Sequence, residues 1–105
     1  MEELVRIITL MDLPFAYDHF SEGEAVDPPF ICYLLPSSDN FSADGKVYHR
    51  LSDVHLELYT DKKDVTTEAA VESVLDDEGI FYNKTETWIE SERLYEVMYI
   101  FTMEV

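Results

Sequence analysis

Three polar side chains at alternating positions are the first candidates for chemistry in this chain. Asp53, His55 and Glu57 lie at positions i, i+2 and i+4 of a segment with strand character, so they share one face of that strand. Carboxylate and imidazole groups are common ligands of divalent metal ions. Neighbours in this row stand about 6–7 Å apart at Cα, so a complete metal-ligand shell would need side chains from another strand or loop. His49 would lie on the same face if the strand is regular across Ser52. A solvated strand face explains the same pattern, and we predict no metal site and no cofactor.

The remaining reactive residue types do not form a catalytic pattern. Cys32 is the only cysteine and lies inside an apolar run. A nucleophilic thiol needs an electropositive surrounding that this acidic chain lacks, so we predict a buried structural thiol. His19 follows Asp18 in an acidic stretch and is expected to be a salt-bridge partner. The three glycines leave no glycine-rich loop for phosphate, and the sequence predicts a protein that is not an enzyme and has no catalytic residues.

The charge of the chain limits its partners. The formal net charge is −16 for 105 residues, from 23 acidic and 7 basic side chains. Acidic residues outnumber basic ones 9 to 3 in residues 1–52 and 14 to 4 in residues 53–105, so the imbalance is not confined to a tail. Nucleic-acid affinity needs lysine and arginine to displace counterions from phosphates, and we predict none. The charge fits either an ordinary solvated surface or a surface that repels or imitates DNA.

Length and hydropathy predict one domain over 1–105. The chain is 47% hydrophobic, which argues against disorder over most of its length. No apolar run approaches the ~18 residues that would span a bilayer. The acidic start at Met1 is unlike a signal peptide, and one cysteine cannot form an internal disulfide, which fits a reducing cytoplasm. We therefore expect no membrane association.

The C-terminal stretch 94–105 carries the strongest secondary-structure signal. Its even and odd positions form two sets, of which the odd set is wholly apolar or aromatic: Tyr95, Val97, Tyr99, Phe101, Met103 and Val105. Alternation of aromatic and β-branched residues predicts one long β-strand. The second set is mixed, but both faces are largely apolar at the centre of the strand. We therefore predict cover on both sides of the sheet.

The other segments predict two helices and further strands. Helices are predicted over 2–11 and 66–77, and strands over 15–20, 30–35, 47–60 and 80–89. The first helix follows from apolar residues at i, i+3, i+4 and i+7, although its isoleucines and valine would also suit a strand. The order α-β-β-β-α-β-β predicts an α+β fold with a mostly antiparallel sheet and two helices packed on it.

Local signals place the ends of these elements. Asp64 or Thr66 would cap the second helix at its N-terminus, and Gly79 would follow its last turn. Asp44-Gly45 is a turn signal, because glycine accepts a positive φ at little cost. Residues 90–93 are predicted to form the turn of a hairpin that leads into the last strand.

Periodicity predicts the core, and aromatic content predicts a contact surface. The predicted core comprises Tyr33, Leu35, Val54, Leu56, Leu58, Val71, Val74, Leu75, Val97, Tyr99 and Phe101. One tryptophan, seven tyrosines and six phenylalanines are many for a chain of this length. Tyrosine and tryptophan are enriched at protein interfaces because they combine apolar bulk with a polar group. The predicted interface residues are Tyr82, Trp88, Tyr95 and Tyr99.

Several segments together resemble a known class of phage proteins. The chain is similar to small tail-module proteins of long-tailed phages and prophages, and its element order is similar to that of the tail terminator, or tail-to-head joining, type. The segments that carry the resemblance are 14–20, 40–48, 55–64 and 89–97.

The resemblance implies a virion structural protein. It implies a ring, expected to be a hexamer, that caps the finished tail tube and docks it to the head connector. The protein would be made in the bacterial host cytoplasm and would then be part of the tail or neck. Loops 21–29 and 37–46 would reach the tube or the connector. Two other functions remain open: a small acidic DNA-mimic inhibitor of a nuclease or repressor, and an enzyme built on the Asp53 row.

Overall fold

The structure, a computed structural model, describes residues 1–21, 23, 26–38, 41–43, 46–49 and 51–104, with side chains described for all of these except 41–43 and 46–49. The elements in chain order are α1 (Glu2–Thr9), β1 (Phe15–Tyr17), β2 (Phe30–Ser38), β3 (Phe41–Ala43), β4 (Lys46–His49), β5 (Leu51–Thr60), α2 (Val65–Asp77), β6 (Asn83–Ile89) and β7 (Leu94–Glu104).

Five of these strands form the main sheet in the order β1-β2-β5-β7-β6. The β1–β2 pair is parallel and the other three pairs are antiparallel. With both helices packed on this sheet, the α+β prediction and the order α-β-β-β-α-β-β of its elements are confirmed. Strands β3 and β4, which lie between β2 and β5 in the chain, form a separate two-stranded antiparallel sheet.

Four predicted strands had wrong boundaries. Strand β1 ends at Tyr17 and not at residue 20, and β6 begins at Asn83 and not at residue 80. The region predicted as one strand over 47–60 is divided into β4 and β5, which belong to different sheets. Strand β2 does not end before Pro36 but continues to Ser38, with a shift of register between Leu34 and Ser37. Proline has no N–H to donate to a ladder, and such an irregularity accommodates it. The predicted Asp44-Gly45 turn lies outside the described residues.

Helix α2 has the predicted start and end signals. The backbone N–H of Thr67 donates to the Asp64 carboxylate at 3.0 Å, which satisfies one of the unpaired donors of the first turn. At the other end Gly79 has a φ of 71°. The N–H of Ile80 reaches the carbonyl of Leu75 and that of Gly79 the carbonyl of Asp76, both at 3.0 Å. This is a Schellman motif, which requires the left-handed conformation that glycine adopts without a Cβ clash.

The core lies between the two helices and one face of the sheet. Its fully or nearly fully buried apolar side chains are Leu4, Ile7, Ile8, Met11, Ile31, Tyr33, Val54, Leu56, Leu58, Val71, Leu75, Val97, Tyr99 and Phe101. The predicted core is confirmed for nine of its members, while Leu35 and Val74 are partly buried and pack against it. Three core residues, Leu4, Ile7 and Ile8, come from α1, which confirms the helical interpretation of that segment.

The other face of the sheet has no helix over it in the described part of the chain. Its side chains alternate with the core set, because directly opposed residues of neighbouring strands share a face. Met98 lies opposite Glu57 and Ile100 opposite His55, and all four are partly exposed. We predicted that both faces of the sheet would be covered. That prediction was wrong for the single chain, since both helices pack on the same face.

Candidate interaction surfaces

A groove of about 330 Å³ opens on the helix-free side of the sheet. It lies where the segment after β1, the start of β2, the end of β5 and the β6–β7 turn meet. Its apolar lining consists of Phe20, Val26, Phe30, Ile89 and Leu94, and its other lining residues are Asp18, His19, Cys32, Tyr59, Ser91 and Glu92. We call this the sheet-face groove. Its volume is near the lower limit of common ligand sites.

Aromatic contacts hold one side of the sheet-face groove. The rings of Phe20 and Phe30 meet edge to face with centroids 5.4 Å apart, and Phe30 stacks on Tyr59 at 5.1 Å. Aromatic pairs at these separations add to the stabilisation from area burial. Phe20 is thereby held against β2, whose Phe30 in turn packs on Tyr59 of β5, and these contacts give the groove a defined shape.

Carboxylates dominate the polar surroundings of the sheet-face groove. The Tyr59 hydroxyl oxygen lies 3.0 Å from Glu57 Oε1 and 2.8 Å from Glu96 Oε2. A hydroxyl has one proton, so it donates to one of these carboxylates at a time. Burial, and then the charges of Glu96 and Asp18, raise the pKa of Glu57 against the opposing hydrogen bond from Tyr59. The charged form of Glu57 is therefore incompletely compensated.

Cys32 is a buried thiol, as predicted. It is 4% exposed. Burial first, and then the charges of Glu57 and Asp18, raise its pKa to about 11. At neutral pH it is protonated, and an unionised thiol is a poor nucleophile.

The row Asp53, His55 and Glu57 lies on the helix-free face, but the structure does not assemble it into a metal centre. Asp53 accepts hydrogen bonds from the hydroxyls of Ser37 and Thr102. No group of three or more histidine, cysteine, aspartate or glutamate side chains is placed to hold a metal ion among the described residues. At the sheet edge, His19 Nδ1 lies 3.0 Å from Asp18 Oδ2, the partner that the sequence suggested.

The four predicted interface aromatics form two pairs on the helix side, one towards each end of the β6–β7 ladder. Trp88 and Tyr95 are directly opposed in the ladder, and Trp88 is 44% exposed. Tyr82 packs edge to face on Tyr99 at 5.3 Å. Tyr99 is fully buried, so it is a core residue and is not available to a partner. Contact through Trp88, Tyr95 and Tyr82 stays a prediction.

A buried carboxylate lies beside these aromatics. Glu68 of α2 is 3% exposed, and its Oε1 lies 2.8 Å from the ammonium groups of both Lys63 and Lys84. The lysines also contact Glu86 and Glu72 respectively, so they link α2 to strand β6. Glu68 Oε2 has no hydrogen-bond partner among the described residues.

Phe81 is an exposed aromatic that the sequence analysis did not select. Its side chain is 97% exposed, in the segment between α2 and β6. It lies next to Ile80, which is drawn into the core by the Schellman motif. The sequence signal for it was weak, because an isolated phenylalanine in a strand-like run is more often buried.

No helix in the described ranges is long and apolar enough to cross a membrane.

Comparison with solved structures gives a match in fold. No protein-family model matches the chain, and no curated protein matches it. A chain in the structure of the virion of a native gene transfer agent particle matches with a TM-score of 0.65 and 13% identity, over 94% of this chain and 83% of that chain. The protein therefore shares its fold with a chain of that virion structure.

Proposed function

We propose that this chain is a non-enzymatic structural protein of a phage-like virion, and within that class a tail terminator that joins the tail to the head. The observation that carries the proposal is the fold shared with a chain of a gene transfer agent virion over 94% of this chain. The resemblance of four sequence segments to tail-module proteins supports the finer assignment. The partners would be further copies of itself in a ring, expected to be a hexamer, together with the tail tube protein and the head connector.

The charge of the chain agrees with a role around DNA without DNA binding. A ring through which DNA passes has to avoid tight contact with phosphates. A net charge of −16 repels them, because nucleic-acid affinity depends on cationic side chains. The protein would be made in the bacterial host cytoplasm and would then become part of the tail or neck of the particle.

Ring closure requires two different contact patches on each subunit. The exposed Trp88 and the half-buried Tyr95, which are opposed in the β6–β7 ladder, offer one such patch at the β6 edge. Phe81 and Tyr82 precede the other end of β6 and would form a different surface. Tyrosine and tryptophan are favoured at such contacts. The sheet-face groove lies on the other side of the sheet and is separate from this patch.

Deleting the gene in the producing strain tests the proposal. We expect heads and tails that are both present but not joined when the particles are viewed by negative-stain electron microscopy. Adding the purified protein to the mutant extract should restore joined particles, because the ring would act after the two parts are complete. Normal particles from the deletion strain would contradict the role. If the purified protein instead inhibits a nuclease in the host extract, the DNA-mimic function replaces it.

Self-association should depend on salt in a specific direction. Identical subunits of charge −16 repel one another, and the repulsion is screened over a Debye length of about 8 Å at physiological ionic strength. We expect a monomer when the protein is dilute, and more oligomer as NaCl rises from about 50 mM to about 500 mM. Sedimentation velocity across a salt series measures this. A dimer that dissociates as salt rises, or tight binding of duplex DNA, would contradict the electrostatic argument.

A further inference from the structure

We propose that the sheet-face groove binds a segment of a partner protein in which one large apolar or aromatic side chain is flanked by lysine or arginine. This goes beyond the proposed tail role, which specifies neither this surface nor this chemistry. The test below uses the free protein, so its result is independent of whether the particle needs the chain.

The lining of the groove favours an apolar anchor. Five apolar side chains contribute to it, and the contacts of Phe20 with Phe30 and of Phe30 with Tyr59 fix its shape before any ligand arrives. A pre-formed apolar site loses little entropy on binding. A space of about 330 Å³ accommodates one phenylalanine, leucine or tryptophan side chain with part of its backbone.

The charge around the groove favours cations beside that anchor. Asp18 and Glu92 line it, and Glu57 and Glu96 flank the lining residue Tyr59. No lysine or arginine is among its described lining residues. An ammonium or guanidinium group placed here would offset the repulsion that Asp18 and Glu96 exert on the half-buried Glu57, so complementary charge selects the partner.

The distribution of lysine and arginine makes this surface unlike the helix side of the molecule. Arg6, Lys63 and Lys84 all form ion pairs on the helix side. There they compensate carboxylates of this same chain. Among the described residues, no lysine or arginine forms an ion pair with the carboxylates near the groove. Asp18 has only His19 beside it, and Arg93 follows the lining residue Glu92 without pairing with it, so a partner can supply the cations.

A second copy of this chain is a poorer occupant. Phe81, the most exposed aromatic among the residues with described side chains, follows the acidic residues Asp76, Asp77 and Glu78. Inserting Phe81 into the groove of a neighbour would bring these carboxylates towards Asp18 and Glu92. Like charges at short range oppose such a contact.

Calorimetric titration with a capped peptide, Gly-Arg-Lys-Phe-Lys-Arg-Gly, tests the proposal at low salt. Two control peptides replace phenylalanine by serine, or the basic residues by glutamate. The protein variants are E57Q/E96Q and, as a matched control, D76N/D77N, which removes two charges on α2 away from the groove. Both variants have the same net charge, so a non-specific attraction would affect them equally. A further variant, Leu94→Lys, places a cation in the groove, and circular dichroism checks that each variant is folded.

We expect the basic peptide to bind the native protein. Its dissociation constant should be about tenfold higher for E57Q/E96Q and should change by less than about twofold for D76N/D77N. Leu94→Lys and the serine peptide should each weaken binding by about tenfold or more. Equal weakening by the two neutralised variants, no dependence on phenylalanine, or no binding up to about 1 mM peptide overturns the proposal. Self-association that is lost on Phe81→Ser and equally on Leu94→Lys would overturn it in favour of a second copy, because only a copy seated in the groove depends on both residues.

Discussion

Truncation of Leu56 to alanine should lower the free energy of unfolding by about 2–5 kcal/mol. Leu56 is fully buried on β5, where it lies opposite Tyr33 of β2 and Tyr99 of β7. Removing its side chain takes away apolar contacts at the centre of the five-stranded sheet and leaves a cavity between two large rings. Rings held by their own strands cannot collapse far into that space, so the cost should be in the upper half of this range.

Equilibrium unfolding in urea measures this effect. Leu10→Ala is the matched control, because Leu10 follows α1 and is 55% exposed. The control should change stability by less than about 0.5 kcal/mol. A loss below about 1 kcal/mol for Leu56→Ala would mean that β5 does not present this residue to the core.

Replacement of both Lys63 and Lys84 by methionine should be the second most damaging change, at about 3 kcal/mol. Methionine keeps most of the aliphatic part of each lysine side chain. In the native protein the Lys63 ammonium lies 5.5 Å from the centre of the Tyr95 ring, and that of Lys84 lies 6.0 Å from the centre of the Tyr99 ring. The substitutions remove the two cations that contact the buried Glu68 carboxylate. A buried charge without a partner is strongly unfavourable.

Removal of the carboxylate itself provides the control for this prediction, because the expected cost comes from a buried charge that has lost its partners. Adding Glu68→Leu to the double substitution removes the charge and should recover most of the stability. The triple variant is therefore the control that separates a buried-charge effect from a simple loss of packing.

The pH dependence of the free energy of unfolding gives a second readout. In the native protein, burial opposes ionisation of Glu72, but hydrogen bonds from Lys84 and Tyr99 outweigh it and lower the pKa of this residue. Hydrogen bonds from Lys63 and Tyr95 lower the pKa of Glu86. These two carboxylates stabilise the fold above pH 4.5, their ordinary value, and lose that contribution as pH falls through their folded pKa.

The K63M/K84M variant lacks the lysine hydrogen bonds that lower the pKa of Glu72 and of Glu86. Its stability should therefore fall less than that of the native protein as pH is lowered through and below 4.5. Urea midpoints at several pH values measure the difference. An equally steep loss in the variant and in the native protein would show that these lysines do not stabilise the two carboxylates.

The sequence predicted the helices, the main strands and most of the core because these elements have clear periods. The alternation in β7 and in β5 assigned Val54, Leu56 and Leu58 to the buried face, and Asp64 and Gly79 marked the ends of α2. These signals are local, so they do not depend on how the chain closes around them. The division of 47–60 into two strands depends on which strand pairs with which, and that is not a local property.

The position of Glu68 shows a second limit. Residues 68, 71 and 75 share one helical stripe, so spacing alone places this glutamate against the core beside Val71 and Leu75. A carboxylate is rarely buried without cations, and here the cations come from the turn after β5 and from β6. Their convergence follows from the tertiary fold. The sheet-face groove was missed for the same reason, since Phe20 and Val26 come from a loop whose path no period describes.

The helix-free face of the sheet has a further consequence for the free protein. Met98 and Ile100 are partly exposed there, and a contiguous apolar patch on a sheet is a common starting point for aggregation. The carboxylates of Asp53, Glu57 and Glu96 share that face, so two molecules meeting through it would bring six negative charges together. These carboxylates should therefore hinder association of free molecules through the apolar part of this face, most strongly at low ionic strength.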